Sequence, residues 1–224
     1  MKTYEKVAEA LQTDGVRFWS NDNIADYVDD YTKQKLIDEA EEAAAHFLRA
    51  LLIDIDTDPN AKGTARRLAK MYYNELFSGR YDQEPEVTAF PNEGEDAYDG
   101  MLVVRSEIKS ICSHHHQPVV GLCLIAILPD KEVAGLSKYT RLAQWHARRG
   151  TLQEELCQRI RKSIASKIGT ENVAVYIEAQ HGCCTNRGIE ATNSLTQTSS
   201  LGGEFKHNIK TKEEFLHYIQ MQKM

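Results

Sequence analysis

Apolar positions recur every three or four residues through the first third of the chain, then give way to runs of β-branched and apolar residues separated by short polar intervals. Between 33 and 53, Leu36, Ala40, Ala43, Phe47 and Leu51 fall at helical steps, which stacks them on one face of a helix, and Pro59 lies just beyond its end. A second helix is predicted from Thr64 as its N-cap, carrying Leu68, Tyr72 and Leu76 inward and stopping at Gly79. The stretch 80–100 contains Pro85, Pro91 and many acids and reads as an extended connector. Beyond it, MLVVRSEIK (101–109) and VVGLCLIAIL (119–128) have the content of strands, and the short interval between them suits antiparallel pairing. Leu142 and Trp145, then Leu152, Leu156, Ile160, Ile164 and Ile168, fit two helices separated near Gly150. NVAVYIEAQ alternates Val173, Val175 and Ile177 onto one face of a third strand. NSLTQTSS reads as a fourth strand and 211–221 as a closing helix. The order β-β-α-α-β-β is an α+β pattern with a mostly antiparallel sheet. The expected division is a helical N-terminal region with its connector, 1–95, and a second domain, 96–224.

Composition narrows the function classes. With 42% hydrophobic and 27% charged residues, the 224-residue chain is ordinary globular protein. Its 27 basic and 33 acidic side chains leave a net charge of −6, and no basic stripe interrupts that balance, so a nucleic-acid partner is disfavoured. The amino-terminal residues lack the apolar core of a signal peptide, and no run approaches the ~18 apolar residues of a membrane span. A soluble, cytoplasmic protein is expected. Cysteines 112, 123, 157, 183 and 184 form an odd, uneven set, which favours metal ligation or catalysis over a disulfide framework. Cys123 and Cys157 lie within apolar stretches and read as small buried hydrophobes, and His46, His146, His207 and His217 as isolated surface or core residues.

Two clusters remain. Cys112-Ser113-His114-His115-His116 follows the first strand, and His181-Gly182-Cys183-Cys184 follows the third. Mixed thiolate and imidazole donors suit Zn²⁺, and three protein ligands with an open fourth position make a catalytic site, because the pKa of a bound water falls toward about 7. The chain has no CxxC pair of the kind that closes a structural zinc site. Spacing selects neither among the three histidines nor between Cys183 and Cys184. Lys138 and Arg141 share a helical face, Arg187 follows the second cluster, and Arg67 and Lys70 lie three apart on the second helix. Together they suffice to neutralise a polyphosphate in an otherwise acidic protein. Gln153-Glu154 by itself is a helix-start signal.

CSHHHQP, GLSKYTRL, Gln153-Glu154, HGCCTNRG and SLGGEF occur in the order and approximate spacing of GTP cyclohydrolase I, and TARRLAKMYYNELFSG resembles that family's helical segment before its catalytic domain. The resemblance, which covers 35–220, implies a tunnelling fold, an antiparallel sheet with helices packed on one face, preceded by a helical N-terminal region. It implies zinc held by Cys112, His115 and Cys183, with His114 and His181 as acid/base histidines. Ser137 matches a serine near the ribose, and Lys138, Arg141, Arg187, Arg67 and Lys70 match triphosphate contacts. Glu154, with Gln153, matches a guanine reader whose carboxylate accepts from N1 and the 2-amino group, a donor pair that adenine lacks. The implied reaction opens the imidazole ring of GTP, expels C8 as formate and recloses a pterin ring as 7,8-dihydroneopterin triphosphate. The implied assembly is a homodecamer with active sites between subunits.

One departure stands out, since Ser113 occupies the place of the family's usual acid in Cys-Glu-His-His. It removes a charge beside the expected metal site and leaves every expected ligand in place. The competing readings are a tunnelling-fold relative acting on another purine or pterin, and an idle zinc- and nucleotide-binding scaffold. The choice among folate, biopterin and 7-deazaguanine routes is not encoded in these motifs.

Overall fold

The structure, a computed structural model, describes residues 1–221. The chain divides into two compact units, Met1–Gln83 and Glu84 onward.

The first unit is helical. Helix α1 (Thr3–Thr13) leads through a 3₁₀ turn at Ala25–Tyr27 to α2 (Asp30–Ala50), whose N-cap Asp29 accepts from the Thr32 N–H at 2.7 Å. Leu11, Ile24, Val28 and Leu36 form its core, flanked by Tyr27, Tyr73 and Tyr81. The buried seam of α2 is Leu36, Ile37 and Leu48, whereas Phe47 and Leu51 are 62% and 56% exposed. The expected stripe is therefore rotated: alanines at positions 40, 43 and 44 carry little apolar area, so periodicity set the helix without setting its phase. Helix α3 (Thr64–Met71) starts after Gly63 at φ 77°, which takes the N-cap place expected of Thr64. Its buried residues are Ala65 and Ala69, with Leu68, Tyr72 and Leu76 only half-buried. A π-helical turn at Tyr72–Leu76 and the short α4 (Ser78–Tyr81) follow. Arg66 ties α3 to α2 through Asp38 at 2.7 Å and Glu41 at 2.9 Å.

The second unit is α+β. In chain order it comprises β1 (Ala89–Pro91), β2 (Leu102–Cys112), β3 (Pro118–Ile127), β4 (Glu132–Ala134), α5 (Leu136–Ala147) and β5 (Gly150–Thr151). Then come α6 (Gln153–Ile168), β6 (Val173–His181), α7 (Gly182–Thr185), β7 (Thr196–Leu201), α8 (Glu204–His207) and α9 (Ile209–Met221). The main sheet has the order β5-β2-β3-β6-β7. All its pairings are antiparallel except β5 on β2, so the sheet is mixed rather than purely antiparallel. The stretch read as a connector supplies β1, which pairs with β4, and Glu84, which holds Lys167 and Ser163 of α6 at 2.8 and 2.9 Å.

Strand alternation gives the sheet two apolar faces. Cys123, Ile125, Ile127, Val173, Val175 and Ile177 pack beneath α5 and α6. Leu124, Ala126, Ala174 and Tyr176 pack against Phe205, Phe215 and Ile219 of α8 and α9. Helices thus cover both faces, correcting the expectation of one: with nearly every position of β3 and β6 apolar, each side needs a cover. Gly121 of β3 faces Ala179 of β6 so closely that a Cβ there would lie 2.0 Å from the Glu178 carbonyl oxygen. Among the described residues no helix is long and apolar enough to cross a membrane.

Candidate active site

Strand register brings the two sequence clusters to one end of the sheet. Ile111 of β2 pairs with Pro118 of β3, and Val119 pairs with His181 of β6, so the β2–β3 turn and the β6–α7 corner are neighbours across a single strand. The turn is closed by the Cys112 N–H donating to the Gln117 carbonyl and the His116 N–H to the Cys112 carbonyl, both at 2.9 Å. His116 takes a left-handed φ of 51° to complete it.

The buried Cys112 thiol meets that of Cys183, and the Cys183 and Cys184 sulfurs are 3.9 Å apart. Burial, reinforced by the Cys112 thiol, pushes Cys183 up to about 11, so without a cation the Cys183 sulfur keeps its proton at neutral pH. Adjacent thiols at two strand ends are the donor chemistry that a soft or borderline cation prefers. The third expected ligand is placed differently. His115 is exposed, and its Nε2 lies 3.3 Å from the Arg187 guanidinium. Among the described residues no three His, Cys, Asp or Glu side chains converge as a ready ligand set. His114 is exposed on the same turn, its ring 6.4 Å from that of His115.

His181 is half-buried, with Nε2 2.7 Å from Gln153 Oε1. Desolvation holds its pKa below 6.5, opposed by the Glu154 carboxylate. Gln153 is 3% exposed, and its amide nitrogen, with two hydrogens to donate, lies within hydrogen-bond distance of the Ile177 carbonyl (3.1 Å), the Thr196 carbonyl (3.0 Å) and Thr198 Oγ1 (3.1 Å). The amide is thus committed inside the protein, while Glu154 beside it is exposed at the head of α6. The threonines of β7 were not singled out as functional from sequence. Their only signal was the polar alternation of that strand.

The structure does not gather the expected phosphate contacts at this site. Ser137 and Lys138 begin α5, with Arg141 one turn on, whereas Gly150 and Thr151, just past its end, pair with Ile111 and Cys112. The helix is about 18 Å long, so Ser137 and Lys138 lie at the far end of α5 from the thiols and Arg141 lies midway. Arg187 of the basic group meets a site residue of its own unit. Arg67 is bound within the first unit, donating to the Lys62 carbonyl at 3.1 Å and Thr64 Oγ1 at 2.7 Å, and Lys70 is exposed. A cavity of 810 Å³ opens over β2 and β3 between Arg105, Glu107, Lys109, Leu122 and Glu178, and none of the expected site residues lines it.

The family model for GTP cyclohydrolase I matches residues 40–220. GTP cyclohydrolase 1 of Flavobacterium johnsoniae is 37% identical over 194 residues, covering 86% of this chain and 85% of the relative. Its counterpart in Yersinia pseudotuberculosis is 40% identical over 180 residues, 79% and 81% of the two chains. That of Shewanella sp. is 36% identical over 189 residues, 84% and 87%.

Proposed function

The chain belongs to the GTP cyclohydrolase I family, and from that premise we propose that it converts GTP to 7,8-dihydroneopterin triphosphate and formate at a zinc site formed by Cys112, His115 and Cys183. The observation that carries this reading is the meeting of the Cys112 and Cys183 thiols at the sheet end where His181 is held. When bound there, zinc supplies a Lewis acid that brings a water toward deprotonation near neutral pH.

The chain's own groups perform the rest. His181 gives a proton to the guanine ring nitrogen as the bond to C8 opens, so the developing charge meets an acid already in place. His114 assists ring opening. The exposed Glu154 carboxylate accepts from N1 and the 2-amino group, which selects guanine over adenine because the latter would leave the carboxylate unpaired. Ser137 attends the ribose, while Lys138, Arg141, Arg187, Arg67 and Lys70 neutralise the triphosphate. The length of α5 between Lys138 and the thiols supports a site completed by a second copy, in keeping with a homodecamer of the tunnelling fold. We read the enzyme as cytoplasmic, feeding pterin- and folate-type or 7-deazaguanine biosynthesis.

The test is incubation of the zinc-loaded chain with GTP, following pterin fluorescence and formate, with and without a chelator. Expected are stoichiometric formate and fluorescence that the chelator abolishes. Binding of GTP and zinc without formate would replace this reading by the scaffold that the Ser113 departure suggests.

A further inference from the structure

The amide of Gln153 can face only one way. Its nitrogen end points at two backbone carbonyls, those of Ile177 and Thr196, and carbonyl oxygens only accept, so this end must be the N–H₂. Thr198 Oγ1 is the third acceptor around it. The oxygen end therefore faces His181 at 2.7 Å, and an amide oxygen also only accepts. A hydrogen bond between them requires the proton on His181 Nε2.

We infer that Gln153 is a positioning residue that fixes His181 as the Nε2–H tautomer, making Nδ1 the atom that exchanges a proton with substrate, and that Glu154 reads the base without the Gln153 side chain. The inference rests on the reading of His181 as the acid of a GTP cyclohydrolase. In the acid form the ring carries protons on both nitrogens. Nδ1–H gives its proton to the guanine ring nitrogen, the N–H electron pair returns to Nδ1, and the neutral ring stays bound to Gln153 through Nε2–H. The hydrogen bonds tie this tautomer to β6 and β7 as well as to α6, since all three supply partners of the amide or the ring. A histidine held in one tautomer and orientation by an outer partner is a recurring device of reactive sites.

Two measurements test it. Solid-state ¹⁵N spectra of histidine-labelled protein, with the His181 signals assigned by difference against His181→Asn, are expected to show Nε2 protonated and Nδ1 bare in the neutral ring. An Nδ1–H tautomer would overturn the inference whether or not the enzyme turns over GTP. Gln153→Leu removes the acceptor at similar size. It is expected to populate both tautomers and to lower kcat about 10- to 100-fold, with KM for GTP held within about two-fold. A raised KM with kcat retained would return the amide to base reading and sink the inference. If the variant does not fold, the wild-type spectrum decides alone. A wild type that releases no formate would refute the proposed activity and leave the tautomer to be read from the same spectrum.

Discussion

At the scale of single residues, His146 makes the sharpest prediction about stability. It is 8% exposed, neither ring nitrogen has a hydrogen-bond partner, and burial, aided by Arg149 and Arg159, pushes its pKa down to about 3 from 6.5. The folded value lies below the unfolded one, so the unfolded chain takes up the proton first. Stability is complete above about pH 6.5 and drains as pH falls toward 3, by about 1.4 kcal/mol per unit. Urea unfolding at pH 6.5 and 5 is expected to show a loss of about 2 kcal/mol from this residue, and His146→Leu is expected to remove that component. The site makes the second prediction. His181→Ala and Cys183→Ser both lower turnover at least about 100-fold, but metal analysis will find zinc kept by the first and lost from the second. What was legible here follows from locality. Cys112 and the 181–184 cluster each follow a strand in sequence, so their meeting could be anticipated. The commitment of Gln153 could not, because its acceptors lie 24, 43 and 45 residues away and only the folded sheet brings them to one amide.

At the scale of elements, apolar runs announced the strands and periodicity the helices, while neither announced what each face would meet. Helix α2 shows this through its exposed Phe47 and Leu51, and α9 shows it by covering the second face of the sheet. The two-residue β5 was too short for any pattern, yet its parallel pairing sets Thr151 beside Cys112 and Gln153 two residues further on. Glycine 121 was silent in the sequence because its role exists only across strands. Gly121→Ala would force β3 and β6 apart at the pairing that also registers Val119 with His181. The expected outcome is destabilisation by about 1–3 kcal/mol or more in denaturant titrations, together with weakened turnover from the displaced histidine. An alanine variant of unchanged midpoint and activity would contradict the close approach.

At the scale of the whole molecule, the placement of Ser137 and Lys138 at the other end of α5 from the thiols, with Arg141 midway, makes the strongest demand. If their role is to hold the triphosphate, a second copy must bring them to the site. Sedimentation of the purified chain is therefore expected to report a decamer. Co-expression of Lys138→Ala with His181→Ala is expected to restore activity that neither has alone. Random mixing in equal amounts leaves about a quarter of sites with two intact halves. Activity no greater than the sum of the separate variants would refute a shared site. The motifs foretold this partnership only through family resemblance, because spacing along one chain carries no record of distances between chains.

Strand β6 runs unbroken from Val173, packed under α5 and α6, to the imidazole of His181. Reactive groups carried on lids or frayed ends are commonly lost before the rest of a protein melts, since those segments open at small free energy. Here the reactive ring is the last link of a strand paired on both sides from Ala174 to Ala179. Warming will accordingly spare catalysis until the sheet itself gives way, so heat inactivation and the loss of ordered structure will share one midpoint, and any substitution chosen to loosen the enzyme for speed will be felt as lost heat tolerance.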